Sequence, residues 1–256
     1  MEDELNEFVR YLHAERNASP YTVRNYTHEI GEFAAFARAQ GATAWTDVQR
    51  PLVLRWLQSQ KERGIVAASV SRRLYELRAF FAFLQREDKI AANPLLRIGG
   101  PKTPQRKPRY LGVHETAALL RAPDTTKPVG LRDRAILELL YAGGLRVSEL
   151  VGLDVDSVDM SAKTARVRGK GDIERMCLFG DFCVGALHAY LAAGRPALAQ
   201  EHKPSNALFL NHLGTRLHAQ TIQENIQRYA AQAGVKQRVT PHMLRHTFAT
   251  HMLQGG

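Results

Sequence analysis

Four basic side chains in this 256-residue chain have the types and spacing of a group that could bind and activate a phosphate. Arg146 lies in AGGLRVSEL, Lys170 in RGKGDIER, and His242 and Arg245 in TPHMLRHTFATHML. Guanidinium groups bind phosphoryl oxygens in bidentate geometry and stabilise the charge that develops on them. Lysine and histidine can donate or accept a proton. The set indicates phosphoryl chemistry, but it contains no nucleophile.

Each of the first two motifs has a simpler interpretation. Arg146 lies at a predicted helix start, where its charge meets the positive end of the helix dipole. Either Glu149 compensates it through an (i, i+3) salt bridge, or the helix start and the guanidinium bind a phosphate together while Glu149 holds Arg146. Lys170 lies at the tip of a predicted hairpin. It is either a solvated lysine or a lysine that reaches a DNA groove or a leaving oxygen, which the flanking glycines would allow.

The third motif places His242, Arg245 and His246 on one face of a predicted helix, because positions three and four apart lie one turn apart. Histidines at (i, i+4) can bind zinc. However, Met243 replaces the Glu of the zinc-protease motif, and Arg245 would repel a cation. We therefore predict no metal site.

The elements that would position these residues divide into two domains joined by a linker. Residues 1–98 are predicted to form four helices, and Ser19-Pro20 has the pattern of an N-cap followed by Pro at the first helical position. The other three helices are predicted over 4–15, over 47–64, and from Ser69 or Ser71 onward. On the last of these helices, Arg72 and Arg73 lie off the apolar seam. Their face of the helix is either solvated or in contact with DNA.

Residues 99–112, GGPKTPQRKPRYLG, contain three prolines and four basic side chains. This composition resists both helix formation and sheet pairing, so it predicts a linker. Lys102, Arg106 and Lys107 are either solvated or lie on phosphates.

Residues 113–256 are predicted to form a mainly helical second domain with a small antiparallel sheet. Strand-like runs at 165–168 and 173–179 flank the tight turn GKGD, and 207–211 could pair with 214–217. Helices are predicted over 113–121, 131–141, 146–152, 219–233 and from about 240 onward.

Charge and composition favour a polyanionic partner. The formal net charge is +10, and nucleic acid is the commonest such partner for a soluble protein. No stretch has the length of a membrane span, and no secretory pattern follows Met1, so we expect a soluble, cytoplasmic protein that binds no membrane. The two cysteines, Cys177 and Cys183, are expected to be buried thiols rather than a disulfide or a zinc site.

The three motifs, in this order after a four-helix unit and a basic linker, resemble the tyrosine site-specific recombinases of the phage integrase family. The resemblance covers essentially the whole chain and is strongest to the bacterial Xer type, which resolves chromosome dimers. It implies a mainly α fold with a small antiparallel sheet, made of an N-terminal SAM-like core-binding domain and a mixed α/β catalytic domain. Arg146 and Arg245 would bind the scissile phosphate, Lys170 would protonate the leaving 5′ oxygen, and His242 would assist proton transfer. His246 and His251 would be structural.

The resemblance also implies a reaction and an assembly. The reaction is DNA breaking and rejoining through a 3′-phosphotyrosine intermediate, with no metal or nucleotide cofactor. The assembly is a cyclic tetramer on two double-stranded DNA sites, with or without a paralogous recombinase. It favours DNA contacts by the linker residues Lys102, Arg106 and Lys107 and by the helix carrying Arg72 and Arg73.

The nucleophile is the missing part of the pattern. In this family a further His or Trp and the nucleophilic tyrosine follow His-x-x-Arg, and no tyrosine of this sequence lies there. We therefore expect a chain truncated within its catalytic domain, which binds DNA with strong salt dependence, does not cleave it, and forms no stable tetramer. The alternative is a non-catalytic DNA-binding or architectural protein, for which the basic charge alone would suffice.

Overall fold

The computed structural model describes residues 1–101, 109–169, 173–200, 202 and 204–254. Lys102, Arg106, Lys107 and Lys170 lie outside these residues. The chain divides into two compact units, Met1–Arg106 and Lys107–Gly256. Each unit buries its own hydrophobic core.

The first unit contains the four predicted helices. They are α1 (Glu2–Ala14), α2 (Pro20–Ala39), α3 (Arg50–Glu62) and α4 (Ala67–Arg86), with a 3-10 turn at Trp45–Asp47 before α3. Their core is rich in aromatic rings, and Trp45 packs edge-to-face against Phe80 with ring centroids 4.7 Å apart. Edge-to-face pairs add to the stabilisation that burial alone provides.

Local sequence explains the start of α2 but not that of α4. Ser19 caps α2, because its hydroxyl accepts a hydrogen bond from the backbone N–H of Thr22 at 3.2 Å, and Pro20 follows at the first helical position. The prediction that Ser69 or Ser71 opens α4 is wrong. That helix begins at Ala67 after Val66, which provides no side-chain cap, and Ser71 instead donates to the carbonyl of Pro101 at 3.4 Å.

The second unit is mainly helical, as predicted. Its helices are α5 (Val113–Arg121), α6 (Pro128–Ala142), α7 (Val147–Val151), α8 (Asp181–Ala189), α9 (Arg195–Leu198), α10 (Ala219–Gln232) and α11 (Pro241–Gln254). Helix α6 lies in the middle of this unit, with nine of its fifteen residues buried.

The small sheet is antiparallel with strand order β1-β2-β3, where β1 is Val158–Asp159, β2 is Thr164–Arg168 and β3 is Glu174–Leu178. The predicted pairing of the two strands is therefore confirmed, with Val167 opposite Arg175 and Arg166 opposite Met176, while residues 170–172 of the predicted turn lie outside the described residues. The predicted second hairpin is reduced to a single bridge between Leu210 and Arg216.

Neither β1 nor the segment 181–198 was predicted from the sequence. Residues 181–198 form α8, a π-helical turn at Tyr190–Gly194, and α9. Gly194 and Pro196 are poor helix formers, so the sequence of this segment does not predict a helix. The close approach of Gly194 to α6 explains the glycine, since a Cβ would lie 3.0 Å from the Cβ of Leu131.

Among the helices described, none combines the length and the apolar composition that crossing a bilayer requires. Cys177 and Cys183 are both buried and free. Burial raises the pKa of both thiols.

Candidate active site

The turn between α6 and α7 presents Arg146. Gly144 has φ +54°, and a Cβ at this position would lie 2.9 Å from the ring of Phe248. Left-handed backbone and close packing together require glycine here. Arg146 follows as the N-cap of α7, and its backbone N–H donates to Glu149 Oε2 at 2.8 Å.

Glu149 is the centre of a cluster of three arginines. Its Oε1 accepts from Nη1 of Arg146 at 2.8 Å, and its Oε2 accepts from Nη2 of Arg175 at 2.7 Å. Nη1 of Arg245 lies 3.9 Å from the same Oε2. We call Arg146, Arg175, Arg245 and Glu149 the arginine cluster.

The arginine cluster has an excess of positive charge. The Glu149 side chain is 2% exposed, while those of Arg146, Arg175 and Arg245 are 59%, 39% and 34% exposed. Three guanidinium groups against one carboxylate leave a formal charge of about +2, with the cations on the outside. Such an arrangement favours an anionic ligand and can stabilise negative charge on it.

Glu149 keeps its charge despite its burial. Burial alone raises the pKa of this carboxyl, but the hydrogen bonds from Arg146 and the charge of Arg175 outweigh that effect, so the pKa is lowered overall. The carboxylate is therefore ionised at neutral pH and can hold the arginines in place.

Helix α11 presents the other predicted residues. Thr240 caps this helix, since its hydroxyl accepts from the backbone N–H of Met243 at 3.1 Å, and Pro241 follows it. Arg245 donates from Nη1 to the carbonyl of Gly144. His242 is exposed three residues earlier, on the same side of the helix.

The opposite side of α11 is fixed to the unit. Thr247 is fully buried, and its hydroxyl accepts from the backbone N–H of Leu111 at 3.0 Å. Nδ1 of His251 lies 2.9 Å from the hydroxyl of Tyr141. These contacts hold the helix so that Arg245 lies at the arginine cluster.

Arg175 is not among the site residues predicted from the sequence. The signal was present in the alternation of β3: residues 175 and 177 share a face, and Cys177 is buried while Met176 is exposed. A basic residue on the inward face of a strand indicates a partner inside the protein.

The arginines of α4 contact carboxylates of their own unit. Arg72 lies 2.7 Å from both Glu29 and Glu76, with a side chain that is 46% exposed. Arg73 is only 12% exposed and lies 3.0 Å from Glu29 and 2.8 Å from Glu32. The charge of Arg73 is therefore already compensated, so its placement does not favour a phosphate contact.

The structure thus brings Arg146 and Arg245 together around Glu149, with His242 exposed on the same helix as Arg245. Within the ranges that the structure covers, no three His, Cys, Asp or Glu side chains come together in a group that could hold a metal ion.

Comparison with known protein families gives two matches that together include most of the chain. Residues 109–256 match the Phage integrase family. Residues 5–88 match the family described as Phage integrase, N-terminal SAM-like domain.

Several curated relatives match almost the full chain. Tyrosine recombinase XerC of Pelotomaculum thermopropionicum is 42% identical over 98% of this chain and 85% of its own length. Tyrosine recombinase XerC of Bacillus subtilis is 38% identical, covering 97% and 82%. Tyrosine recombinase XerD of Lacticaseibacillus casei is 39% identical, covering 98% and 85%.

Solved structures share the fold. The XerA recombinase is 28% identical with a TM-score of 0.53, over 100% of this chain and 85% of that one. The XerH site-specific recombinase bound to a palindromic difH substrate, a post-cleavage complex, is 21% identical with a TM-score of 0.76, over 100% and 74%.

Proposed function

This chain belongs to the phage integrase family, among the Xer-type tyrosine recombinases, and we propose that its arginine cluster binds the scissile phosphate of duplex DNA in site-specific recombination. The observation that carries the proposal is the buried Glu149 carboxylate with three outward-lying guanidinium groups. The relatives named as tyrosine recombinases and the DNA complex among the solved structures support it.

In this proposal Arg146 and Arg245 bind the non-bridging oxygens of the phosphate. Both remain more than a third exposed after their contacts with Glu149 and Gly144 are made, so each has donors left for a ligand. Their positive charge would stabilise the extra negative charge of the transition state, in which the phosphorus bears a fifth oxygen. Arg146 also lies at the start of α7, although that helix is too short to bind an anion by itself.

The proton transfers are assigned to Lys170 and His242. His242 is exposed beside Arg245, which supports a role in proton transfer at the nucleophile. Lys170 lies outside the described residues, and its role as donor to the leaving 5′ oxygen rests on the family resemblance.

We propose that these 256 residues bind DNA without forming a covalent bond to it. Tyr190 and Tyr229 are buried, and the Tyr229 hydroxyl donates to Asp133 at 2.8 Å. The Tyr141 hydroxyl is paired with His251. These placements argue against Tyr141, Tyr190 and Tyr229 as the nucleophile, and the family resemblance assigns that role to no tyrosine that precedes His-x-x-Arg.

For a protein that also carries the tyrosine nucleophile, the biological role we propose is resolution of chromosome or plasmid dimers in the cytoplasm, by four protomers on two DNA sites, alone or with a paralogous recombinase. Linker residues Lys102, Arg106 and Lys107 are proposed as phosphate contacts. Arg72 is proposed as a weaker one, because two carboxylates already neutralise it. The resemblance to the Xer type carries this part of the proposal.

A nicked duplex that contains a candidate recombination site tests binding and cleavage together. We expect a band shift in native gels that weakens steeply with salt, and no protein–DNA adduct in denaturing gels. An adduct that survives denaturant would place a nucleophile within residues 1–256 and contradict the assignment of the tyrosines.

Arginine variants test the phosphate site itself. R146A and R245A should each lower the slope of log K against log salt by about 0.9, the value for one lost phosphate contact. R121A, at the end of α5 and outside the arginine cluster, provides a control with the same change in charge. If both cluster variants keep the wild-type slope, the phosphate site is refuted and a DNA-binding protein that lacks this site becomes the better interpretation.

A further inference from the structure

Arg175 and Arg245 lie next to the same acceptor, Oε2 of Glu149. That oxygen accepts from the backbone N–H of Arg146 at 2.8 Å and from Nη2 of Arg175 at 2.7 Å. Nη1 of Arg245 lies 3.9 Å away, beyond hydrogen-bond distance. A carboxylate oxygen has about two acceptor sites, so Oε2 is saturated without Arg245.

Arg245 therefore has a different partner. Its Nη1 donates to the carbonyl of Gly144, a neutral acceptor, and lies 3.9 Å from Glu149 Oε2 without a hydrogen bond to that carboxylate. Charge-assisted pairs with carboxylates are stronger than hydrogen bonds to neutral carbonyls. Without Arg175, Arg245 would gain by moving onto Oε2.

We propose that Arg175 is a positioning residue, which occupies Oε2 of Glu149 and so keeps the guanidinium of Arg245 available to an anionic phosphate. The inference rests on the proposed function of the arginine cluster and adds to it a residue that acts through Arg245.

The contacts of Arg175 itself fit a positioning role, although its side chain is 39% exposed. Besides the contact to Glu149, its Nη1 donates to Sγ of Cys177. Its cross-strand neighbour Val167 is buried. Both terminal nitrogens of Arg175 thus contact protein, whereas Arg146 and Arg245 each contact protein through Nη1 alone among the hydrogen bonds described.

The first test is a crystal structure of the full chain with R175M, which removes the donors and keeps a long unbranched side chain. We expect the distance from Arg245 Nη1 to Glu149 Oε2 to shorten from 3.9 Å to about 2.9 Å. A distance that stays at its wild-type value in a folded variant would overturn the inference. If R175M does not fold, R175Q serves in the same measurements, because a shorter amide that cannot reach Glu149 also frees Oε2.

The second test is a double-mutant cycle on DNA binding, measured as the salt slope on one duplex. R175M and R245A should each lower the slope by about 0.9, and the double variant should show no further loss. Additive losses would mean that Arg175 acts independently of Arg245, which overturns the inference. R166M removes one positive charge from the opposite face of the same hairpin and is the control for charge alone.

The two hypotheses fail in different ways. If R146A and R245A both bind DNA with the wild-type slope, the proposed phosphate site is wrong and the inference fails with it. If R245A lowers the slope while R175M does not, the site stands and only the role of Arg175 is overturned.

Discussion

At the scale of single residues, Glu149 determines whether the cluster exists. It is a buried carboxylate that holds two arginines at hydrogen-bond distance and lies close to a third. Removing one partner of a buried pair costs more than the pair contributes, because the remaining groups lose their acceptor.

We expect E149Q to lower the free energy of unfolding by about 1–3 kcal/mol, since the amide would place N–H groups against guanidinium donors. Urea unfolding followed by far-UV circular dichroism measures this. E174Q is the control, because Glu174 pairs with Arg168 at the surface and exposed pairs contribute about 0–1 kcal/mol. Equal effects of the two variants would mean that Glu149 has no special role in stability.

The difference between wild type and E149Q should depend on pH. The pKa of Glu149 is lowered in the folded state, so its contribution is present above the ordinary pKa of about 4.3 and is lost as the pH falls through the lowered value. We expect the difference to shrink between about pH 5 and pH 3.

Residue identity alone predicted part of this site. Arg146, Glu149 and Arg245 belong to motifs whose composition indicates anion binding. Arg175 was missed because the alternation of β3 indicates only that this side chain has a partner inside the protein, whereas the partner itself, Glu149, is 26 positions away in the chain.

At the scale of elements, helix boundaries could be predicted where the sequence contains a residue that caps the helix end. Ser19-Pro20 fixes the start of α2 through a hydrogen bond that the sequence itself specifies. The start of α4 has no such signal. The segment from α8 to α9 was missed because Gly194 and Pro196 are poor helix formers and a π-helical turn disrupts the helical period.

The difference in stability between a helix start with a side-chain cap and one without it can be measured. We expect S19A to lower the free energy of unfolding of the first unit by about 1 kcal/mol, the usual value for a lost N-cap. S69A should cost much less, since Ser69 lies inside the first turn of α4. The measurement is urea unfolding followed by tryptophan fluorescence, and a larger cost for S69A than for S19A would contradict the N-cap assignment.

At the scale of the whole molecule, two separate cores predict two separable unfolding transitions. Trp45 and Trp56, the two tryptophans of the chain, both lie in the core of the first unit. Fluorescence therefore reports on that unit, whereas circular dichroism reports on both.

Glu76 provides a way to perturb the first unit alone. Burial raises its pKa despite the hydrogen bond from Arg72, and its Oε2 is buried with no hydrogen-bond partner among the described residues. A raised pKa means that the stability contributed by the protonated form is present below the ordinary pKa and is lost as the pH rises through the raised value. Glutamine cannot ionise, so E76Q should avoid that loss.

We therefore expect E76Q to become more stable relative to wild type as the pH rises from about 4 to about 8, in fluorescence-monitored urea unfolding. E87Q, at the end of the same helix beside Arg86, is the control and should show a smaller trend.

E149Q should leave the fluorescence transition unchanged while it shifts the transition seen by circular dichroism. If E149Q shifts the fluorescence transition as much as the circular dichroism transition, the two units unfold together, and their separate cores do not make them independent in stability.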